Sequence, residues 1–153
     1  MPGGEKTLPP AVARPANLPV VIRVLIVDDH PVVRAGLEAI LRTEPGLAPV
    51  GSAQDGPGLW QLLRRTRPDV VVLDRNLVQE DGLEICRALR AEPAAPAVVM
   101  YTVDPSDDLR ERALEAGAAA VVDKGADPGT LLDALRVAGR RRTPVVEDPS
   151  RPA

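Results

Sequence analysis

The stretch VLIVDDHPVVRAGLEAIL, residues 24–41, decides the fold. Its first four residues, Val24-Leu25-Ile26-Val27, form an unbroken apolar run. That pattern reads as a strand covered on both faces. Asp28-Asp29 closes the run. Pro31 suits the first turn of a helix. Val33, Leu37, Ile40 and Leu41 then recur at helical spacing until Pro45-Gly46 stops the pattern. A buried strand that runs straight into an amphipathic helix is the opening half of a parallel β-α-β unit.

The same grammar repeats along the chain. Val70-Val71-Val72-Leu73 is closed by Asp74, and Val98-Val99-Met100-Tyr101 by Thr102. Ala119-Ala120-Val121-Val122 is followed by Asp123 and Lys124, and Ala48 to Ala53 is a weaker strand. Helical patterns lie between. Leu59, Leu62 and Leu63 mark a second helix ended by Arg67-Pro68. Asp81 caps a third that carries Leu83, Ile85, Cys86 and Leu89. Asp104-Pro105-Ser106 opens a fourth, closed by Gly117. Asp127-Pro128 opens a fifth, with Leu131, Leu132, Leu135 and Ala138 inward. The expected class is α/β: a (βα)5 doubly wound parallel sheet with helices on both faces. Ligands of such sheets bind beyond the carboxyl ends of the strands. Three carboxylates, a hydroxyl and an ammonium are therefore expected to meet at one edge.

Composition narrows the function. The 153 residues are 44% hydrophobic, with no Phe and single Trp60 and Tyr101, so one domain with an aliphatic core is expected. A formal charge of −3 gives no electrostatic case for nucleic acid or an anionic membrane. No apolar run approaches the ~20 residues of a membrane span, and the N-terminus lacks a secretory apolar centre. The single Cys86 has no internal disulfide partner, which fits a reducing cytoplasm. Residues 1–20 and 143–153 are proline-rich and aperiodic, and are expected to be disordered tails around a body at 21–142.

Each motif has a plainer reading to beat. One Asp would suffice to cap the first helix. Asp28 and Asp29 together with Asp74, on a strand expected alongside, suit a hard cation held by oxygen: Mg²⁺, with Mn²⁺ as the alternative. Lys124 at the same edge can hold a phosphoryl oxygen as a point charge, and Thr102 can donate a hydrogen bond to it. His30, the only histidine, is assigned to the loop, because the sequence supplies no partners for a metal or phosphohistidine role. Cys86 is assigned to helix packing. Gly51 and Gly56 are spaced like the start of a P-loop but are followed by Pro57-Gly58 instead of Lys and Ser or Thr, so they are read as turn residues. Arg140-Arg141-Arg142 complements the dipole at the end of the last helix.

These stretches resemble a known family. VLIVDDHPVVRAGLEAIL, PDVVVLDRNLVQEDGLE, VVMYT and AGAAAVVDKGA, in that order, are similar to the receiver domain of two-component response regulators, the CheY-like (flavodoxin-like) fold. The first stretch is most like the NarL-type subgroup, and the likeness spans roughly Val24 to Gly139. The resemblance implies a five-stranded sheet of order 2-1-3-4-5. It implies Asp74 as phosphoacceptor, and Asp28, Asp29, Asp74 and the backbone carbonyl of Asn76 around Mg²⁺. It implies Thr102 and Lys124 as the groups that meet the phosphoryl group. The implied partner is a sensor histidine kinase or phosphotransfer protein. A homodimer or effector protein would use the face of helix 4, strand 5 and helix 5. The chain also departs from the family: Leu77-Val78 replaces its usual Met-Pro, and Val121 stands where an aromatic usually swings on activation.

The sequence also admits two rival readings. One is a receiver-like interaction module that works without phosphorylation, favoured by Val78 and Val121. The other is an aspartyl-phosphate phosphatase of the haloacid dehalogenase type, which wants an acid where Asn76 stands, and a cap domain. The dozen or so residues after the last helix are too few for the helix-turn-helix domain that NarL-type regulators carry. A stand-alone receiver, or the receiver half of such a regulator, is expected, with no DNA binding by this chain and no turnover of external substrates.

Overall fold

A computed structural model of the chain describes residues 20–142, together with 14–15 and 145–146. The tails expected at 1–20 and 143–153 fall largely outside these residues. Within them, Arg14–Pro15 pairs in parallel with Val145–Val146 as a separate two-stranded ladder.

The body alternates strand and helix throughout: β1 (Ile22–Val27), α1 (Pro31–Thr43), β2 (Leu47–Ala53), α2 (Gly56–Thr66), β3 (Val70–Asp74), α3 (Gly82–Arg90), β4 (Ala97–Thr102), α4 (Asp107–Glu115), β5 (Ala120–Asp123) and α5 (Pro128–Arg142). The five strands are parallel and lie in the order β2-β1-β3-β4-β5. This is the expected doubly wound topology.

The strands are apolar on both sides because both faces are covered. Leu25, Val27, Val71, Leu73, Val98 and Met100 pack under α2, α3 and α4. Val24, Ile26, Val70, Val72 and Val99 pack under α1 and α5 with Leu37, Leu41, Leu131 and Leu135. Each such side chain contributes about 1.5–3 kcal/mol when fully buried, so the central strands are firmly fixed. The weaker pattern of β2 has a structural reason. It is an edge strand, and its register against β1 shifts between Val24 and Leu25, beside Pro49, which has no N–H for the ladder.

Two details differ from the turn reading of the glycines. Gly51 lies within β2, and Gly56 is the first residue of α2. Asp55 caps that helix by accepting the Gly58 N–H at 2.9 Å, so the chain is helical where the Gly-Pro-Gly composition suggests a loop. Asp81 caps α3 as expected, accepting from the Leu83 N–H. At α4 the cap is Ser106, whose hydroxyl accepts from the Leu109 N–H. No helix among the described residues is long and apolar enough to cross a membrane.

Candidate functional site

Register brings the strand ends together. Val27 is level with Leu73, Asp74 with Tyr101, and Thr102 with Asp123. Backbone bonds carry the alignment past the ladders: the Asp28 N–H donates to the Ala53 carbonyl and the Lys124 N–H to the Thr102 carbonyl. Asp28, Asp74, Thr102 and Lys124 therefore leave the sheet along one edge.

Among the described residues, Asp28, Asp74 and Thr102 are the polar residues that are buried. Burying a carboxylate is costly unless it is paired, and the pairing is visible. Lys124 Nζ donates to Asp28 Oδ2 at 2.7 Å and stands 3.3 Å from Asp74 Oδ2. The Lys124 ammonium stands over the Tyr101 ring, 5.8 Å from its centroid. Asp28 Oδ1 accepts from the backbone N–H of His30 at 2.9 Å and lies 2.9 Å from its ring Nδ1. Its backbone carbonyl accepts from Arg34 Nη1 at 2.7 Å.

Electrostatics separates the two buried acids. Burial pushes Asp28 up, but the hydrogen bonds from Lys124 and His30 outweigh it and hold the carboxyl below its ordinary range. For Asp74, burial wins. The Asn76 N–H and Lys124 lower it, Asp28 adds repulsion, and the carboxyl sits above its ordinary value. Burial lowers Lys124, and the two carboxylates more than reverse that, so the ammonium is held cationic.

His30 lies in the loop between β1 and α1, as expected, but it has carboxylate neighbours there that the sequence did not announce. It occupies the cap position of α1 but makes no side-chain cap bond. Its ring turns back onto the acids, with Nδ1 2.9 Å from Asp28 Oδ1, 3.1 Å from Asp29 Oδ1 and 3.9 Å from Asp74 Oδ2. One atom from each of Asp28, Asp29, His30 and Asp74 lies within 4.8 Å of the others. Asp29 Oδ1 and Asp74 Oδ2 are buried without a hydrogen bond. His30 Nδ1 lies closer to Asp28 Oδ1 than to Asp29 Oδ1, and Lys124 approaches Asp74 Oδ2 at ion-pair distance only. Orphaned carboxylate oxygens that converge are what a divalent cation satisfies, so these residues fit such an ion.

The loop after Asp74 is held from several sides. The Asn76 N–H donates to Asp74 Oδ1 at 3.0 Å, and the Gly82 N–H to the Arg75 carbonyl at 2.8 Å. A Cβ on Gly82 would lie 2.5 Å from the Asp74 carbonyl oxygen and 2.8 Å from Arg75 Cα, so only glycine lets α3 begin this close. Glu80 reaches across to α2, where its Oε1 accepts the Gly56 N–H at 2.7 Å. Leu77 is buried and Val78 is 81% exposed. A cleft of about 530 Å³ opens here, lined by Asp29, Asp55, Leu77, Val78 and Glu80 among others. Thr102 lies at the same edge, its hydroxyl accepting from the Asp104 N–H at 3.4 Å. At Val121, Arg110 of α4 donates to the backbone carbonyl at 3.0 Å.

His30, Glu80 and Arg110 are the neighbours that sequence reasoning missed. For His30 a signal existed: it sits between the acid pair and Pro31, where the turn into α1 aims its ring at the carboxylates. Glu80 and Arg110 reach partners 24 and 11 residues away, and no local pattern announces such contacts.

The model of the response regulator receiver domain family matches residues 24–136. The nitrate/nitrite response regulator NarP of Escherichia coli is 34% identical over 118 residues, covering 77% of this chain and 55% of that protein. The response regulator GacA of Pseudomonas viridiflava is 39% identical over 122 residues, covering 78% of this chain and 57% of that protein. This chain thus spans about half the length of the curated relatives it matches. Among solved structures, a LuxR-family two-component response regulator from Aurantimonas superposes with a TM-score of 0.74 at 34% identity, covering 82% of this chain and 89% of that one. The receiver domain of a NarL regulator from Mycobacterium tuberculosis gives 0.69 at 28% identity, covering 77% and 98%.

Proposed function

This chain belongs to the response regulator receiver domain family, and from that premise we propose that Asp74 is its phosphoacceptor. It is a receiver domain of two-component response regulators, of a kind that includes the NarL/LuxR type. Such domains interact with histidine kinases and are not generally turnover enzymes. The donor for this chain is then a phosphohistidine on a sensor kinase or phosphotransfer protein.

A carboxylate oxygen of Asp74 attacks phosphorus. The new O–P bond forms as the P–N bond of the phosphohistidine breaks, and the electron pair returns to the imidazole. Catalysis is positioning and electrostatics. Asp28, Asp29, Asp74 and the carbonyl of Asn76 would hold a divalent ion, Mg²⁺ by family type, which when bound supplies positive charge to the transferring oxygens. Lys124, held cationic by the acids, exchanges its contact with Asp74 for a phosphoryl oxygen. Thr102 keeps its own O–H free of the Asp104 bond, in which it is the acceptor, and donates it to the same group. Water later attacks phosphorus, inorganic phosphate leaves, and the carboxylate is restored.

The observation that carries this reading is the ammonium of Lys124 shared by two buried carboxylates, with a buried Asp29 oxygen beside them that has no hydrogen bond. The added charge at Asp74 would act on the α4–β5–α5 face, where Arg110 donates to the backbone carbonyl of Val121. An effector or a second copy would bind there. Incubation with acetyl phosphate and Mg²⁺, followed by intact mass, tests the proposal. Gain of one phosphoryl group by the parent chain and none by Asp74→Ala is expected. An unmodified parent chain would favour the phosphorylation-independent module.

A further inference from the structure

We propose that His30 is itself a ligand of the divalent ion in this pocket and tilts the site toward transition metals over Mg²⁺. The inference rests on the reading of the pocket as a cation site, and goes beyond the oxygen-only donor set that reading needs.

The distances between donor atoms carry it. Bonds of about 2.1 Å in an octahedral shell put neighbouring donors about 3 Å apart and opposite ones about 4.2 Å apart. His30 Nδ1 is 2.9 Å from Asp28 Oδ1, 3.1 Å from Asp29 Oδ1 and 3.9 Å from Asp74 Oδ2. The nitrogen already stands where a coordinating atom would. The second observation does not depend on the histidine: Asp29 Oδ1 is buried without a hydrogen bond, and Asp74, 4% exposed at its side chain, has an Oδ2 that shares the single Lys124 ammonium with Asp28 and has no hydrogen bond. One ammonium does not balance three converging carboxylates, and a further cation would account for the buried oxygen left over.

The ring is also held there. Pro31 fixes the start of α1 directly after His30, and the His30 backbone N–H bonds Asp28 Oδ1 at 2.9 Å. The imidazole is therefore anchored to a metal-binding carboxylate through its own main chain. To coordinate through Nδ1 the neutral ring carries its single proton on Nε2, and the side chain is 64% exposed. No group need enter or leave the protein.

Donor chemistry then sets the selectivity. Mg²⁺ prefers oxygen and retained water, whereas imidazole nitrogen suits first-row transition ions. A nitrogen added to three carboxylates should favour Co²⁺ and Mn²⁺ more than Mg²⁺.

The test titrates the whole chain and its His30→Ala variant with Co²⁺ and with Mg²⁺ by calorimetry, metal alone, after circular dichroism confirms that both fold. The parent's preference for Co²⁺ over Mg²⁺ should fall by about 10–100-fold in the variant, the range for disturbing a metal's ligand environment. Mg²⁺ affinity should change far less. Pulsed electron paramagnetic resonance of bound Mn²⁺ should show ¹⁴N coupling in the parent and none in His30→Ala. An unchanged preference, or no nitrogen coupling in the parent, overturns the role of His30 and leaves the cation site standing. Failure of any divalent ion to bind the parent overturns both.

Discussion

Replacing Lys124 by methionine removes the ammonium that two buried carboxylates share. At an effective dielectric of 20, the contacts at 2.7 Å with Asp28 and 3.3 Å with Asp74 correspond to gross attractions of about 6 and 5 kcal/mol. The desolvation cost of the ions offsets much of this. Breaking a buried pair by removing one partner leaves the other charge uncompensated, and costs about 3–5 kcal/mol. Here two carboxylates are left, but the His30 backbone N–H still donates to Asp28, so the lower figure of about 3 kcal/mol is expected. For a domain of this size that is about 10 °C in melting temperature. The measurement is a thermal melt by circular dichroism in chelator and again with Mg²⁺. A bound cation restores part of the missing charge, and an ion at about 100 times its Kd adds about 2.7 kcal/mol. Mg²⁺ should therefore raise the melting temperature of Lys124→Met more than that of the parent. A loss below about 1 kcal/mol in chelator, with no larger response to Mg²⁺, would refute the claim that Lys124 holds this site together.

Three further outcomes follow from the same geometry. Asp29→Asn removes one of the crowded charges and an orphaned oxygen; it should raise the metal-free stability by on the order of 1 kcal/mol and abolish the Mg²⁺-induced shift in melting. The pH profile has a definite sign. Asp28, held below its ordinary range, contributes stability above the unfolded value of about 3.9 that is lost as pH falls through its folded value, so Asp28→Asn should flatten the acid limb of stability. Lys124, held above its ordinary range, contributes below about 10.4 and loses that contribution as pH rises through its folded value, so Lys124→Met should flatten the alkaline limb. Asp74, raised by burial, works against Asp28 at low pH. Gly82→Ala would press a methyl onto the backbone of Asp74 and Arg75 and should cost about 1–3 kcal/mol with slower phosphorylation. Gly56→Ala meets only the end of the Glu80 side chain and should cost less, both read by urea unfolding.

Much of this molecule is legible in the order of its residues. β1, β3, β4 and β5 announce themselves because a strand covered on both faces must be apolar throughout, and the polar residue that ends each run marks the edge where ligands bind. That places Asp28, Asp74, Thr102 and Lys124 before any coordinates exist. β2 is fainter because an edge strand tolerates Pro49 and Gly51. The start of α2 was hidden by Gly56-Pro57-Gly58, whose composition signals a turn, while Asp55 supplies the cap that makes the same residues helical. His30 escaped because ring direction depends on how the chain enters α1. Glu80 and Arg110 act through long side chains on distant backbone, and only the packed fold sets those distances.

The central claim is that this pocket exists to place a phosphoryl group on one carboxylate. Treating the phosphorylated chain with borohydride reduces an acyl phosphate to an alcohol, and peptide sequencing then locates it. The account predicts homoserine at position 74, dependent on a divalent ion and lost in Asp29→Asn. Reduction at any other carboxylate, or none after prolonged exposure to acetyl phosphate and Mg²⁺, would contradict it.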